Sequence, residues 1–189
     1  MLVAMPLINW LGELNSHIPL PDTLREIEDN ATRTEMAFLK DQTIGDFFLN
    51  ILMFALIAAV AEELFFRGAM QKILIGWTKN IHTGIWITAI LFSALHFQFM
   101  GFVPRMLMGA MLGYVYIWSG SLWVSIFTHF VNNGVLVFLM YLEQKNLVPE
   151  KIDEVGGHEG QIVYVIASAV LLGVVLFFSW RGRETSASI

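Results

Sequence analysis

The sequence predicts an all-α protein, a polytopic transmembrane helical bundle of about five spans, and three observations predict it. Hydrophobic residues make up 56% of the 189 and charged residues only 14%, with a mean hydropathy of +0.63, an apolar balance above that of ordinary soluble domains. Apolar runs of about 20 residues, the length that crosses a hydrocarbon core of about 30 Å, recur along the chain. Lipid admits only helices and closed barrels as spanning structures, and these runs are too long and too uniformly apolar for barrel strands.

From the start, Met1 to Pro6 has neither a basic leader nor a long apolar stretch, so no cleavable signal peptide is read there; it equally suits the tail of a helix that begins elsewhere. Pro21-Asp22 opens a segment to about Lys40 with mixed charges and few large apolar groups, expected as a surface or juxtamembrane helix. The first span runs from about Asp46 to Ile75, longer than one crossing, and the second from Thr83 to Met100. A third, from about Phe102 to Ser119, holds Gly109 and Gly113 four apart, a spacing that lets another helix approach its backbone closely. Leu122 to Leu142 is the fourth, and Gln161 to Trp180 the fifth, after a loop rich in Glu, Lys and Gly. Trp77, Trp118, Trp123 and Trp180 fall near the expected ends, where interfacial aromatic residues collect. The chain is thus divided into a polar or juxtamembrane segment, 1–43, and a membrane domain, 44–189.

Charge and cysteine usage exclude several functions. A formal net charge of -5 without any Lys/Arg-rich run excludes nucleic acid as a partner, since phosphate binding needs a clustered basic surface. No cysteine is present, which removes disulfides, thiolate metal sites and cysteine nucleophiles. The partner that composition does demand is the lipid bilayer.

Within the apolar spans lie three polar patterns: Glu62-Glu63 with Arg67, Phe92 with His96, and His129 with Asn133. Charged groups cost roughly 2.5 to 3.5 kcal/mol each at a helix centre in lipid, so a chain that gathers several has a use for them. Glu63 and Arg67 are four apart, one helical face, and can pair. Glu62 points about 100° away and has no partner at helical spacing, which leaves it free to take a proton from water as a general base. His129 and Asn133 also share a face and offer two donors to an oxyanion, while His96 can orient or deprotonate the same water. The same atoms admit a metal reading, because Glu62, His96 and His129 with an open fourth position form the ligand set of catalytic zinc. Each residue also has a plain alternative. Glu63 and Arg67 can be a structural ion pair, either histidine a packing residue, Asn133 or Asn132 interhelical glue, and Phe92 core or lipid-facing bulk.

In order along the chain, Ala61-Glu62-Glu63-Leu64-Phe65-Phe66-Arg67-Gly68, Phe92-Ser93-Ala94-Leu95-His96 and His129-Phe130-Val131-Asn132-Asn133 resemble the three motifs of the CPBP group of intramembrane proteases, the CAAX-type prenyl endopeptidases and their bacteriocin-processing relatives. The resemblance spans about Asp46 to Tyr141. It implies a membrane endopeptidase that hydrolyses a peptide bond of a membrane-associated, CAAX-type protein or peptide, in the plasma membrane of a bacterium. On this resemblance Glu62 is the general base, His96 positions the water, His129 and Asn133 form the oxyanion hole, and Glu63 and Arg67 support them. The group is commonly classed as metalloendopeptidase; zinc on Glu62, His96 and His129 stays open, and a metal-free glutamate mechanism is preferred. A catalytically silent scaffold or bacteriocin-immunity protein of the same group is the alternative. Relatives carry further membrane helices before the first motif, so 1–43 is expected to be the remnant of a longer N-terminal region.

Overall fold

The computed structural model describes residues 4–39, 43–148 and 161–186, with side chains up to residue 174; the acidic loop expected between Glu143 and Glu159 lies from residue 149 on outside the described residues, as does the Trp180 side chain. Seven helices and no strand are present among them: α1 (Met5–Ser16), α2 (Asp22–Leu39), α3 (Ile44–Thr78), α4 (Ile81–Ala94), α5 (Phe102–Ser119), α6 (Leu122–Gln144) and α7 (Ile162–Ser186). The fold is therefore the expected all-α bundle. Two helices, α3 with 35 residues and α6 with 23, are long and apolar enough to cross a membrane, and α4 and the 162–174 part of α7 are shorter apolar helices. Large apolar side chains such as Phe48, Leu52, Trp123 and Phe127 face outward, a surface that suits lipid and not water.

Local chemistry explains where the helices start and stop. Thr43 opens α3 with a reciprocal cap: its hydroxyl accepts from the Asp46 N–H at 3.2 Å, while the Asp46 carboxylate accepts from the Thr43 N–H at 2.9 Å. At about 1.5 Å per residue α3 is some 50 Å long, more than one perpendicular crossing. Two stretches of it, Ile51–Ile57 and Leu64–Met70, are wound with the wider π-type turn, a feature frequent at functional sites. Lys79, in the left-handed region at φ 54°, closes α3, and the Asn80 side chain caps α4 by accepting from the Thr83 N–H at 3.0 Å.

Two elements differ from the sequence expectation. Residues 5–16 form a helix, with Pro6 in its first turn, where a missing N–H is harmless. The second span ends at Ala94 rather than Met100, because Phe97 takes a positive φ of 56° and turns the chain towards α5. His96 consequently sits in a turn at the end of α4.

The bundle closes around α4 and α5, whose backbones approach as the two glycines allow. A methyl group on Gly109 would stand 3.0 Å from Phe92 Cδ1 and 3.3 Å from Ala89 Cα, and one on Gly113 only 2.7 Å from Gln71 Oε1. Ile85, Ala89 and Ala110 form the apolar centre of this contact. The middle of α3 packs on α6 and its C-terminal third on α4, while α1 lies against α5 and α7.

Candidate active site

Glu63 and Arg67 meet as their spacing predicts, deep between α3, α5 and α6. Both are 0% exposed, and Arg67 Nη1 donates to Glu63 Oε1 at 2.7 Å. The second guanidinium nitrogen, Nη2, donates to the Gly109 carbonyl at 2.6 Å, so the close approach at Gly109 also delivers an acceptor to the buried cation. Phe92 lies beneath the guanidinium, its ring centroid 4.9 Å from Cζ, a stabilising cation–π placement. The other carboxylate oxygen of Glu63 accepts from the Ser125 hydroxyl at 2.5 Å. Paired and hydrogen-bonded in this way, Glu63 has much of its desolvation offset, while Arg67 Nε is buried without a hydrogen-bond partner.

His129 joins that cluster and leads out of it. Its Nδ1–H donates to Glu63 Oε1 at 2.9 Å, which leaves Nε2 as the outward nitrogen, 3.8 Å from Glu62 Oε2. On the facing side, His96 Nδ1–H donates to the Phe92 carbonyl at 2.7 Å, and its Nε2 stands 3.9 Å from the same Glu62 oxygen. Glu62 and His96 are 28% and 29% exposed in their side chains, against 1% for His129. Glu62 Oε2 itself is buried and without a hydrogen-bond partner.

Three acceptors thus converge on one point. With both imidazoles neutral each Nε2 carries a lone pair, and Glu62 adds a carboxylate oxygen; a water placed there donates to two of the three, whereas a cation can face all three.

Zinc can be tested against this donor set. Two imidazole nitrogens and a carboxylate are the protein ligands of several catalytic zinc sites, and both rings have their other nitrogen fixed, one by a carbonyl and one by a carboxylate, as zinc-bound histidines do. The donors fit. The spacing is looser than the roughly 3.3 Å between neighbouring ligands of a tetrahedral zinc, and no ready-made cage of three is drawn together among the described residues.

Asn133 stands apart from the convergence. Its Nδ2 donates to the Phe54 carbonyl at 3.2 Å, in the first π-type stretch of α3, and its Oδ1 accepts from Asn132 at 3.3 Å. Glu62, His96 and His129 are brought together, Glu63 and Arg67 stand behind them, and Asn133 is tied one turn further along α6. Sequence reasoning overlooked Ser125, although Ser125, His129 and Asn133 are each four apart on one face of α6. It also treated Phe92 as bulk, whereas that ring touches Arg67, His96 and His129, with centroids 4.8 Å and 6.0 Å from the two imidazoles.

Comparison with known proteins covers the region that holds these residues. Residues 44–135 match the family model described as Type II CAAX prenyl endopeptidase Rce1-like. The uncharacterized protein YpbD of Bacillus subtilis (strain 168) is 30% identical over 109 residues, which cover 56% of this chain and 52% of YpbD. The chain therefore matches about half the length of that curated relative. No solved structure matches. The matched region 44–135 holds all three polar patterns, so this part of the chain is similar to the Rce1-like domain, whose family is membrane-embedded and protease-type in character.

Proposed function

We propose that the protein is a multi-pass endopeptidase of a bacterial plasma membrane that hydrolyses a peptide bond of a membrane-associated protein or peptide, of the prenylated CAAX type. One observation carries this reading: Glu62 Oε2 faces two imidazole Nε2 atoms at 3.8 and 3.9 Å in a half-open position, where a water finds acceptors for both of its hydrogens. The relative from Bacillus subtilis supports the bacterial setting.

In the proposed reaction Glu62 takes a proton from a water that His96 orients, and the hydroxide oxygen attacks the peptide carbonyl. The proton that Glu62 takes is passed to His129 Nε2, 3.8 Å away, so that His129, its Nδ1–H on Glu63, donates to the resulting oxyanion through Nε2–H until Glu62 takes the proton back. Asn133 adds a second donor by releasing the Phe54 carbonyl when substrate binds. As the C–N bond breaks, Glu62 returns its proton to the leaving amine, and a carboxylate and an amine depart. Were zinc resident, Glu62, His96 and His129 would hold it, and it would supply Lewis-acid polarisation and a more acidic water. The preferred reading gives Glu62 the proton directly.

A quenched fluorescent peptide ending in a farnesylated Cys-aliphatic-aliphatic-X sequence, presented to the full chain in nanodiscs, tests this. Cleavage is expected from the wild type, also after chelation, and none from Glu62→Ala. Turnover that chelation abolishes and zinc restores would turn Glu62 from base into ligand. Retained turnover in Glu62→Ala would overturn Glu62 as the base, and no cleavage by the wild type would leave the scaffold or immunity alternative.

A further inference from the structure

His96 lies in the turn 95–101 between α4 and α5, whose first half is closed by its own backbone, with the His96 N–H on the Ser93 carbonyl at 3.3 Å and the Phe97 N–H on the Ala94 carbonyl at 3.2 Å. Beyond Phe97 the backbone polar groups of Phe99 and Met100 are met by side chains of the two N-terminal helices. Glu28 of α2, only 8% exposed, accepts from the Phe99 N–H at 2.9 Å and from the Met100 N–H at 3.0 Å. Asn15 of α1, 7% exposed, donates through Nδ2 to the Phe99 carbonyl at 2.7 Å and the Met100 carbonyl at 2.6 Å. Between them the two side chains satisfy both the donors and the acceptors of one dipeptide. Nearer to His96, Gln98 donates to Glu35 of α2 at 2.8 Å, and Arg105 of α5 donates to the Gln98 carbonyl at 3.0 Å.

We infer that α1 and α2 form a clamp that sets the position of the His96 imidazole, with Glu28 and Asn15 as positioning residues. This rests on the proposed role of His96. The ring's own tie is a single bond to the Phe92 carbonyl, one turn back in α4, so its Nε2 is aimed only as well as the turn is fixed. That turn contains Phe97 at φ 56°, a left-handed conformation that a bulky side chain keeps only where the surroundings impose it. Glu28 and Asn15 grip the chain immediately beyond Phe97. Without them the turn relaxes, and His96 Nε2 moves away from Glu62. The gripping residues come from outside the 44–135 region that carries the three motifs, so an N-terminal segment without motif residues acts on the reaction centre.

The full chain in nanodiscs serves for the test, as Glu28→Ala, Glu28→Gln, Asn15→Ala and His96→Ala, with turnover of the farnesylated peptide, thermal melting, and histidine-ring nitrogen resonances after selective labelling. For Glu28→Ala, kcat is expected to fall about 10- to 100-fold, the cost of a misplaced catalytic group, with KM within about twofold of wild type. Glu28→Gln, which keeps one acceptor oxygen, should recover part of that loss. The His96 ring signals should shift or broaden while those of His82, at the far end of α4, stay in place. Wild-type kcat and unshifted His96 signals in Glu28→Ala would overturn the clamp. So would a loss accompanied by an equal fall in melting temperature and by shifts at His82, since Glu28 would then be merely structural. Full turnover in His96→Ala would instead defeat the catalytic reading of His96; a His96 shift in Glu28→Ala would then still report the clamp itself.

Discussion

Glu62 and Glu63 are neighbours in sequence and opposites in environment. Glu63 is wholly buried and accepts from Arg67, Ser125 and His129; Glu62 is 28% exposed, and its inward oxygen has no hydrogen-bond partner. A rotation of about 100° around α3 separates the two. The difference teaches how a membrane bundle can afford a reactive carboxylate. One acid is committed to a buried hydrogen-bonded cluster that joins α3, α5 and α6 and orients His129, and the other is left unsatisfied where a water can reach it. A saturated carboxylate has no remaining acceptor capacity aimed at a substrate, whereas an unsatisfied one gains by binding.

Substitution at the two positions should therefore give opposite phenotypes. Glu62→Gln keeps shape and volume and removes the base; kcat is expected to fall about 10²- to 10⁴-fold, the usual contribution of general acid–base catalysis, with the thermal melt of the wild type. Melting in nanodiscs alongside peptide turnover checks both halves of that statement. Arg67→Ala attacks the other half. It leaves Glu63 as an uncompensated buried charge, at about 3–5 kcal/mol, and size-exclusion profiles should show little folded protein. A stable but inactive Arg67→Ala would erase the distinction, since the sealed cluster would then serve chemistry alone.

How much of this was legible in the sequence follows the range of the interactions. The Glu63–Arg67 pair is an i,i+4 contact, set by helical geometry alone, and was read correctly from spacing. Long apolar runs placed α5 and α6 almost to the residue, and of the two α6 is long and apolar enough to cross a membrane. The end of α4 escaped, for it is set by a backbone reversal at Phe97 that apolarity does not encode. That Glu62 needs a partner from another helix was readable; that the partners are two imidazoles at nearly equal distance was a matter of tertiary packing. Least legible were Glu28 and Asn15, whose bonds to the turn at Phe99 and Met100 reach across 71 and 84 residues. Both lie in a stretch that read as polar and peripheral, and polarity is the reason they reach inward, since only polar side chains can satisfy an irregular backbone.

Ser125 offers the finest division between the two halves. Its hydroxyl lies against Glu63 Oε2 at 2.5 Å and the Leu112 carbonyl at 3.2 Å, with the side chain wholly buried. Ser125→Ala removes the hydroxyl that donates to that carboxylate oxygen and leaves a methyl group in its place. A hydrogen bond to a charged group contributes about 1.5–3 kcal/mol, so the variant should melt measurably lower yet remain folded. Arg67 and His129 still hold the other oxygen of Glu63, so the His129 ring keeps its direction and kcat at a temperature well below the melt should stay close to wild type. If kcat instead falls while the melt is unchanged, the hydroxyl is tuning the imidazole through Glu63, and the boundary between support and chemistry must be drawn one residue deeper, on the α6 face that Ser125 shares with His129.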